Sequence, residues 1–246
     1  RVFRIRNSQV AFKHTVNPYV VISKDVIEFE GSVEDNGYIA VNKETKAIVC
    51  IGNVGKHPMR LQLAANEGIV KYGVRFNPES AIVQPGEAVE FEIYITPSCS
   101  SNIEDIIKLI TLDMKTNVIV TCEVCIKATT KMTTRLDPDE MVIEQKLGEG
   151  SFGVVFKGTF RGSVVAIKKM KQMEGGDGDS VMEDFEREVS MLDKFRCEYI
   201  VHFYGVVFIP ERICLVTELA EYGSISDLMR MKQDMKGVKK VLRYKI

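Results

Sequence analysis

Three glycines, Gly148, Gly150 and Gly153, stand in a G-x-G-x-x-G spacing within "LGEGSFGVVFKGTFRGSVVAIKK", and Lys168 follows fifteen residues after the last of them. Glycines so spaced let backbone amides come close to phosphate oxygens, because a β-carbon there would stand in the way. A dinucleotide site requires a helix to begin at its glycines, with the pyrophosphate on the helix N-terminus. Here "VVFKGTF" follows Gly153, and its β-branched and aromatic residues predict a strand. Arg161-Gly162-Ser163 turns the chain into a third strand, "VVAIKKM". The glycines therefore cap a hairpin that can fold over a nucleotide, and Phe152 at its tip can shield phosphates from water.

The elements that must position these groups come next in the chain. "GGDGDS" makes a flexible connection, and Ser180-x-x-Glu183 reads as a capping box that opens a helix. Within that helix Met182, Phe185, Val189 and Leu192 form an apolar stripe at spacings of three and four. Glu188 lies beside the stripe. A glutamate on a helix is commonly a solvated surface residue. "YIVHFYGVVF" and "RICLVTELAEYGSISDLM" read as two further strands, a connector and the next helix. His202 is placed on a strand edge, without a catalytic role.

G-x-G-x-x-G-x-V followed at this offset by V-A-I-K, Val165 to Lys168, is similar to the protein-kinase signature. The resemblance implies that Leu147, Gly148, Glu149, Gly150, Ser151, Phe152 and Gly153 cover ATP. Leu147, Val155 and Ala166 would pack on the adenine from above. Lys168, paired with Glu188, would hold the α- and β-phosphates. On the same pattern Thr217 is the gatekeeper, Glu218 offers its carbonyl to the adenine, and Ala220 offers both N–H and C=O. Gly223 and Ser224 lead to the helix carrying Asp227, near the ribose. Leu192 and Phe203 match the upper half of the hydrophobic stack of active kinases. The wording of "FEREVSMLDKFRCEYIVHFYG" resembles the tyrosine-kinase-like group, in particular transmembrane receptor-like kinases of amoeboid protists. That implies MgATP, protein Ser/Thr or Tyr substrates, and a cytoplasmic position below a membrane anchor upstream of Arg1.

The lower-lobe signatures are not in the sequence. No H-R-D catalytic loop or D-F-G occurs, and Asp184-Phe185 is followed by Glu186 inside the expected helix. The metal ligands of the family are therefore missing too, and the chain as given is expected to be truncated and inactive. Losing metal anchors worth ~3–4 kcal/mol weakens binding several hundred-fold, so Mg-ATP is expected to bind in the millimolar range or weaker. The alternative role is a noncatalytic scaffold that recruits partners.

The first half has a different pattern. "AVEFEIYITP" alternates, with Val89, Phe91, Ile93 and Ile95 on one face and Glu90, Glu92 and Tyr94 on the other. "VIVTCEVCI" repeats this, with Val118, Val120, Cys122, Val124 and Ile126 facing one way. Further runs in "KAIVCIGNVG", "RLQLAA", "GIVKYGVRF" and "IIKLITLDM", punctuated by Asn36-Gly37, Asn77-Pro78, Pro85-Gly86 and Pro97-Ser98, give about seven strands and a two-sheet sandwich. The run "VRFNPESAIVQPGEAVEFEIYITP" resembles the major-sperm-protein and PapD-like branch of immunoglobulin-like sandwiches, which implies binding to a protein partner. "IGNVGKHP" has two residues between Gly52 and Gly55 and His57 after Lys56, so it reads as a turn and not as a Walker loop.

The expected architecture is multidomain: an all-β immunoglobulin-like sandwich, then an α+β protein-kinase N-lobe (five-stranded antiparallel sheet plus helix C) and the start of the C-lobe. Residues 1–17 read as a basic tail or juxtamembrane segment, since Arg1, Arg4, Arg6, Lys13 and Lys24 precede the first acidic residue, Asp25. Residues 18–129 form the sandwich, 130–140 the linker and 141–246 the kinase part. With 33 basic and 34 acidic residues no global field favours nucleic acid. Six cysteines at wide spacing suit reduced thiols; Cys122 and Cys125 fall on opposite faces of a strand, so no metal site is expected.

Overall fold

The computed structural model describes residues 1–150, 153–170, 178–195, 197, 199–210 and 212–223. It divides into two compact units, residues 1–132 and 133–246. The protein is mostly β, and among the described residues no helix is long and apolar enough to cross a membrane.

The first unit contains β1 (Val2–Arg4), β2 (His14–Asn17), β3 (Val20–Ile22), β4 (Val26–Phe29), β5 (Thr45–Asn53), β6 (Met59–Ala64), β7 (Tyr72–Asn77), β8 (Ser80–Val83), β9 (Glu87–Pro97), β10 (Asn102–Asp113) and β11 (Ile119–Thr129). One sheet runs β1-β9-β5-β3-β2, with β7 also on β9; the other runs β4-β11-β10-β6-β8. Only β4 against β11 is parallel among the strand pairs of this unit. Residues of both sheets share one apolar core. Val89, Phe91, Ile93 and Ile95 are fully buried in it, as their alternation requires. Each such side chain contributes ~1.5–3 kcal/mol by leaving water.

Two expectations change here. The basic opening stretch is not a tail: Val2, Phe3 and Arg4 pair with Val89, Ala88 and Glu87 of β9, and His14–Asn17 pairs with β3. Its arginines stand among apolar residues, and the Ile5 and Phe12 side chains close over Gly52. On β11 the inward alternation holds from Cys122 to Ala128, but Val118 and Val120 stay exposed at 56% and 38%. They line an open cavity of about 530 Å³ together with Met59, His57 and Asp113. The loop at Gly52–Lys56 is a turn. Fully buried Asn53 builds it, donating to the His57 and Val83 carbonyls and accepting from the Gly55 amide.

The second unit contains β12 (Met141–Glu149), β13 (Gly153–Phe160), β14 (Ser163–Met170), helix α1 (Gly178–Lys194), β15 (Phe203–Val207) and β16 (Cys214–Glu218). The sheet order is β12-β13-β14-β16-β15, antiparallel throughout. Arg161 and Gly162 both have positive φ, 48° and 82°. This is the two-residue turn that matches strand twist. Arg161 is held there by Glu140, at 2.6 Å, and by the Phe160 ring. Helix α1 includes Ser180, which therefore does not precede it. Phe185 and Val189 pack on Phe203 and Val206, flanked by Met170, Leu192 and Leu215.

The polar stretch 130–140, read from sequence as a linker, is built into folded structure. Thr130 belongs to the first unit, bonding to Ser101. Leu136 is 2% exposed, and its amide donates to the Val206 carbonyl at 2.8 Å, while the Val206 amide donates to Thr134 at 2.8 Å. Residues 134–136 thus extend the sheet at the free edge of β15, in parallel.

Candidate nucleotide site

Register places the expected groups. Val155 lies opposite Lys168, and Lys168 lies opposite Leu215. Ala166 lies opposite Lys157 on one side and Thr217 on the other. Directly paired residues of antiparallel strands point to the same face, and residues two apart on a strand share it. Val155, Ala166, Lys168 and Thr217 therefore occupy one face, and all four are half-buried. The intervening residues Val165, Ile167 and Val216 are fully buried on the other. The stripe of helix α1 packs on the first face, since Met170 and Leu215, the neighbours of Lys168, touch its cluster. Glu188 lies within that helix, but its side chain is outside the described residues, as are Ser151, Phe152, Ser224 and Asp227.

The three glycines of the hairpin differ in what demands them. A Cβ at Gly153 would stand 2.2 Å from the Lys169 carbonyl oxygen, so the fold itself excludes a side chain there. At Gly148 and Gly150 no described residue stands within 4 Å, and neither has a left-handed φ. Their missing side chains satisfy no internal need of the described residues. They leave room beside the backbone, as close approach by a ligand requires. The Gly150 amide donates to the Gly153 carbonyl at 2.9 Å and closes the hairpin mouth. Leu147 is 48% exposed at the same end. Glu149 is occupied by Lys146, at 2.6 Å.

After β16 the backbone runs out to Gly223. Thr217 Oγ1 donates to the Glu218 carbonyl at 3.2 Å, and the Gly223 amide donates to the Ala220 carbonyl at 3.0 Å. The Glu218 amide donates to His202 at 2.8 Å, and the Glu218 carboxylate accepts from the His202 amide at 3.1 Å. His202 thus positions the connector through its backbone, and its ring packs edge-on to Tyr204. Cys214, next to Lys169 in register, is buried, and burial pushes its thiol up to about 11. It is no nucleophile at neutral pH. The sequence reading missed Arg135, whose guanidinium lies 4.3 Å from the Phe208 ring centroid and 3.5 Å from the Glu186 carboxylate. Nothing in its local composition distinguishes it; only the glycine at 205 hints that something packs closely on β15.

Residues 141–246 match the protein tyrosine and serine/threonine kinase family. Dual specificity protein kinase shkB of Dictyostelium discoideum is 43% identical over 91 residues, 37% of this chain and 14% of its own length. The probable serine/threonine-protein kinase gdt9 of the same organism is 33% identical over 113 residues, 46% of this chain and 7% of that kinase. Its stress-activated protein kinase alpha is 37% identical over 94 residues, 38% of this chain and 14% of that protein. The chain thus spans a seventh or less of the length of these relatives. Residues 141–246 are thus similar to protein kinases, a family of ATP-dependent transferases.

Proposed function

We propose that the second unit is the upper lobe of a protein kinase of the tyrosine-kinase-like group, and that its half-buried face receives ATP for transfer of the γ-phosphoryl group to protein Ser/Thr or Tyr. The observation that carries this reading is the single face shared by Val155, Ala166, Lys168 and Thr217, below a hairpin with two glycines left open. Val155 and Ala166 offer an apolar surface to the adenine. The backbone from Gly148 to Gly153 covers the phosphates, and Lys168 supplies the cation that orients them. In this reading Glu188 of helix α1 is the partner of Lys168. Among the described residues no group of three or more His, Cys, Asp or Glu could hold a metal ion, so no step is assigned to Mg²⁺. The first unit, an immunoglobulin-like sandwich in this reading, binds a protein partner of the kinase.

The test is a titration of the 246-residue chain with Mg-ATP, followed by amide chemical shifts, against the Lys168→Met variant. Saturable shifts at Gly148, Gly150 and Ala166 are expected, with a dissociation constant in the millimolar range and at least ~10-fold weaker in the variant, a loss of ~1.4 kcal/mol. Shifts that are absent at ~10 mM nucleotide, or unchanged by the substitution, would overturn the assignment and favour a noncatalytic interaction module.

A further inference from the structure

Four contacts converge on the short stretch before β12. Thr134 and Leu136 exchange backbone hydrogen bonds with Val206 on β15, both at 2.8 Å. Leu136 is buried against Gly205, where a Cβ would stand 2.8 Å from the leucine side chain and 2.3 Å from the Thr134 oxygen. Gly205 has φ 151°, so both its conformation and its missing side chain serve this contact. Arg135 points the other way, as alternation along an extended segment dictates. Its guanidinium meets the Phe208 ring and the Glu186 carboxylate of helix α1. Phe208 in turn stands edge-to-face on Phe185 of the same helix, 5.5 Å between ring centroids. Asp137, 5% exposed, then accepts from the Asp139 amide at 2.9 Å and fixes the exit of the segment into β12.

The segment therefore grips the sheet with its backbone and the helix with one side chain. Among the described residues, helix α1 otherwise rests on the sheet through Phe185 and Val189 on Phe203 and Val206. An apolar patch of that size fixes distance better than rotation or sliding along the helix axis. A planar guanidinium held between a ring and a carboxylate adds the missing direction.

We propose that residues 134–136 form a latch on helix α1, with Arg135 as a positioning residue for the nucleotide site. This rests on reading the second unit as that site. In that reading Lys168 pairs with a glutamate of α1, so whatever releases Arg135 would weaken nucleotide binding without touching the nucleotide. The latch also lies directly after residue 132, where the first unit ends. The chain thus carries a route by which a partner of the first unit, by pulling on residues 133–136, would act on the site.

The experiment compares wild type, Arg135→Ala, Arg135→Lys and Glu186→Gln in the 246-residue chain. Amide hydrogen exchange is read separately over helix residues 185–194 and over β13–β14, and Mg-ATP affinity is measured by titration. Arg135→Ala is expected to speed exchange in the helix about tenfold while β13–β14 changes less than about twofold, and to weaken Mg-ATP about three- to tenfold. Arg135→Lys keeps the charge without the planar stack and should recover part of both losses. Glu186→Gln should give a smaller effect in the same direction. Helix exchange within about twofold of wild type in Arg135→Ala overturns the latch. So does an equal loss of protection in helix and sheet, which would make Arg135 a general fold residue. So does a loosened helix with unchanged Mg-ATP affinity. If the wild type binds no nucleotide, the function proposed above fails, while helix exchange still decides whether the contact holds the helix.

Discussion

Replacing the three hairpin glycines one at a time by alanine separates fold from ligand. At Gly153 the new methyl would sit 2.2 Å from the Lys169 oxygen and 3.4 Å from the Met170 Cα, the residue opposite in register. An ordinary carbon–oxygen contact is more than an ångström longer. The obstacle is backbone and cannot rotate away, so β13 and β14 must part at that end against their own hydrogen bonds. Overpacking of this kind costs ~1–3 kcal/mol. For a unit of about 100 residues each kcal/mol lowers the melting midpoint by ~4–8 °C, so Gly153→Ala should lose about 4–24 °C. At Gly148 and Gly150 the methyl enters open space. There the restricted unfolded chain should leave stability unchanged or raise it by ~0.4–1 kcal/mol. Mg-ATP affinity should nonetheless fall at least ~10-fold, because the methyl occupies ground the phosphates need. Calorimetry is the assay, since the chain has no tryptophan and the first unit's transition serves as an internal reference. A Gly153→Ala chain that melts with the wild type would refute the steric argument. Gly148→Ala or Gly150→Ala variants that bind Mg-ATP normally would refute the ligand argument.

Two further outcomes are expected. Hydrogen bonds from Asn77, Lys46 and Tyr94 hold the Glu92 carboxyl down to about 2. A depressed carboxylate stabilises the fold above its unfolded value of ~4.3 and loses that contribution as pH falls toward the folded value. In Glu92→Gln the first unit's melting midpoint should therefore fall less between pH ~4.5 and ~2 than in wild type; parallel curves would contradict the assignment. At pH ~8, iodoacetamide should modify exposed Cys125 and Cys197 readily and spare Cys214 until the second unit unfolds, as peptide mass spectrometry would show. Equal labelling rates would mean that Cys214 is not shielded as described.

What could be read from sequence follows from which signals are local. The alternation of β9 and β11 is a property of single strands, and the burial of Phe91, Ile93 and Ile126 follows from it. The glycine hairpin and the strand bearing Lys168 were legible because Gly153, Arg161 and Gly162 announce backbone geometry. The opening stretch was misread because its arginines are spaced among Val2, Phe3 and Ile5, and charge was weighed above pattern. Pairing with β9 across more than eighty residues leaves no local trace. Residues 134–136 were harder still: one leucine in a polar run looks like a linker, and its partners Val206 and Gly205 lie far along the chain. The shared face of β11 leads into the core at Val124 and Ile126, but alternation cannot tell where a sandwich opens, so the exposure of Val118 and Val120 could not be read from it.

The bond between Leu136 and Val206 also bears on synthesis. Every member of the first unit's core lies before residue 129, so that unit can finish folding while the ribosome is still making the second. At ~5–20 residues per second, the roughly seventy residues up to Val206 take ~4–14 s to appear. For that interval the leucine has no seat, and the nascent chain presents one settled domain trailing a bare, uncommitted tether.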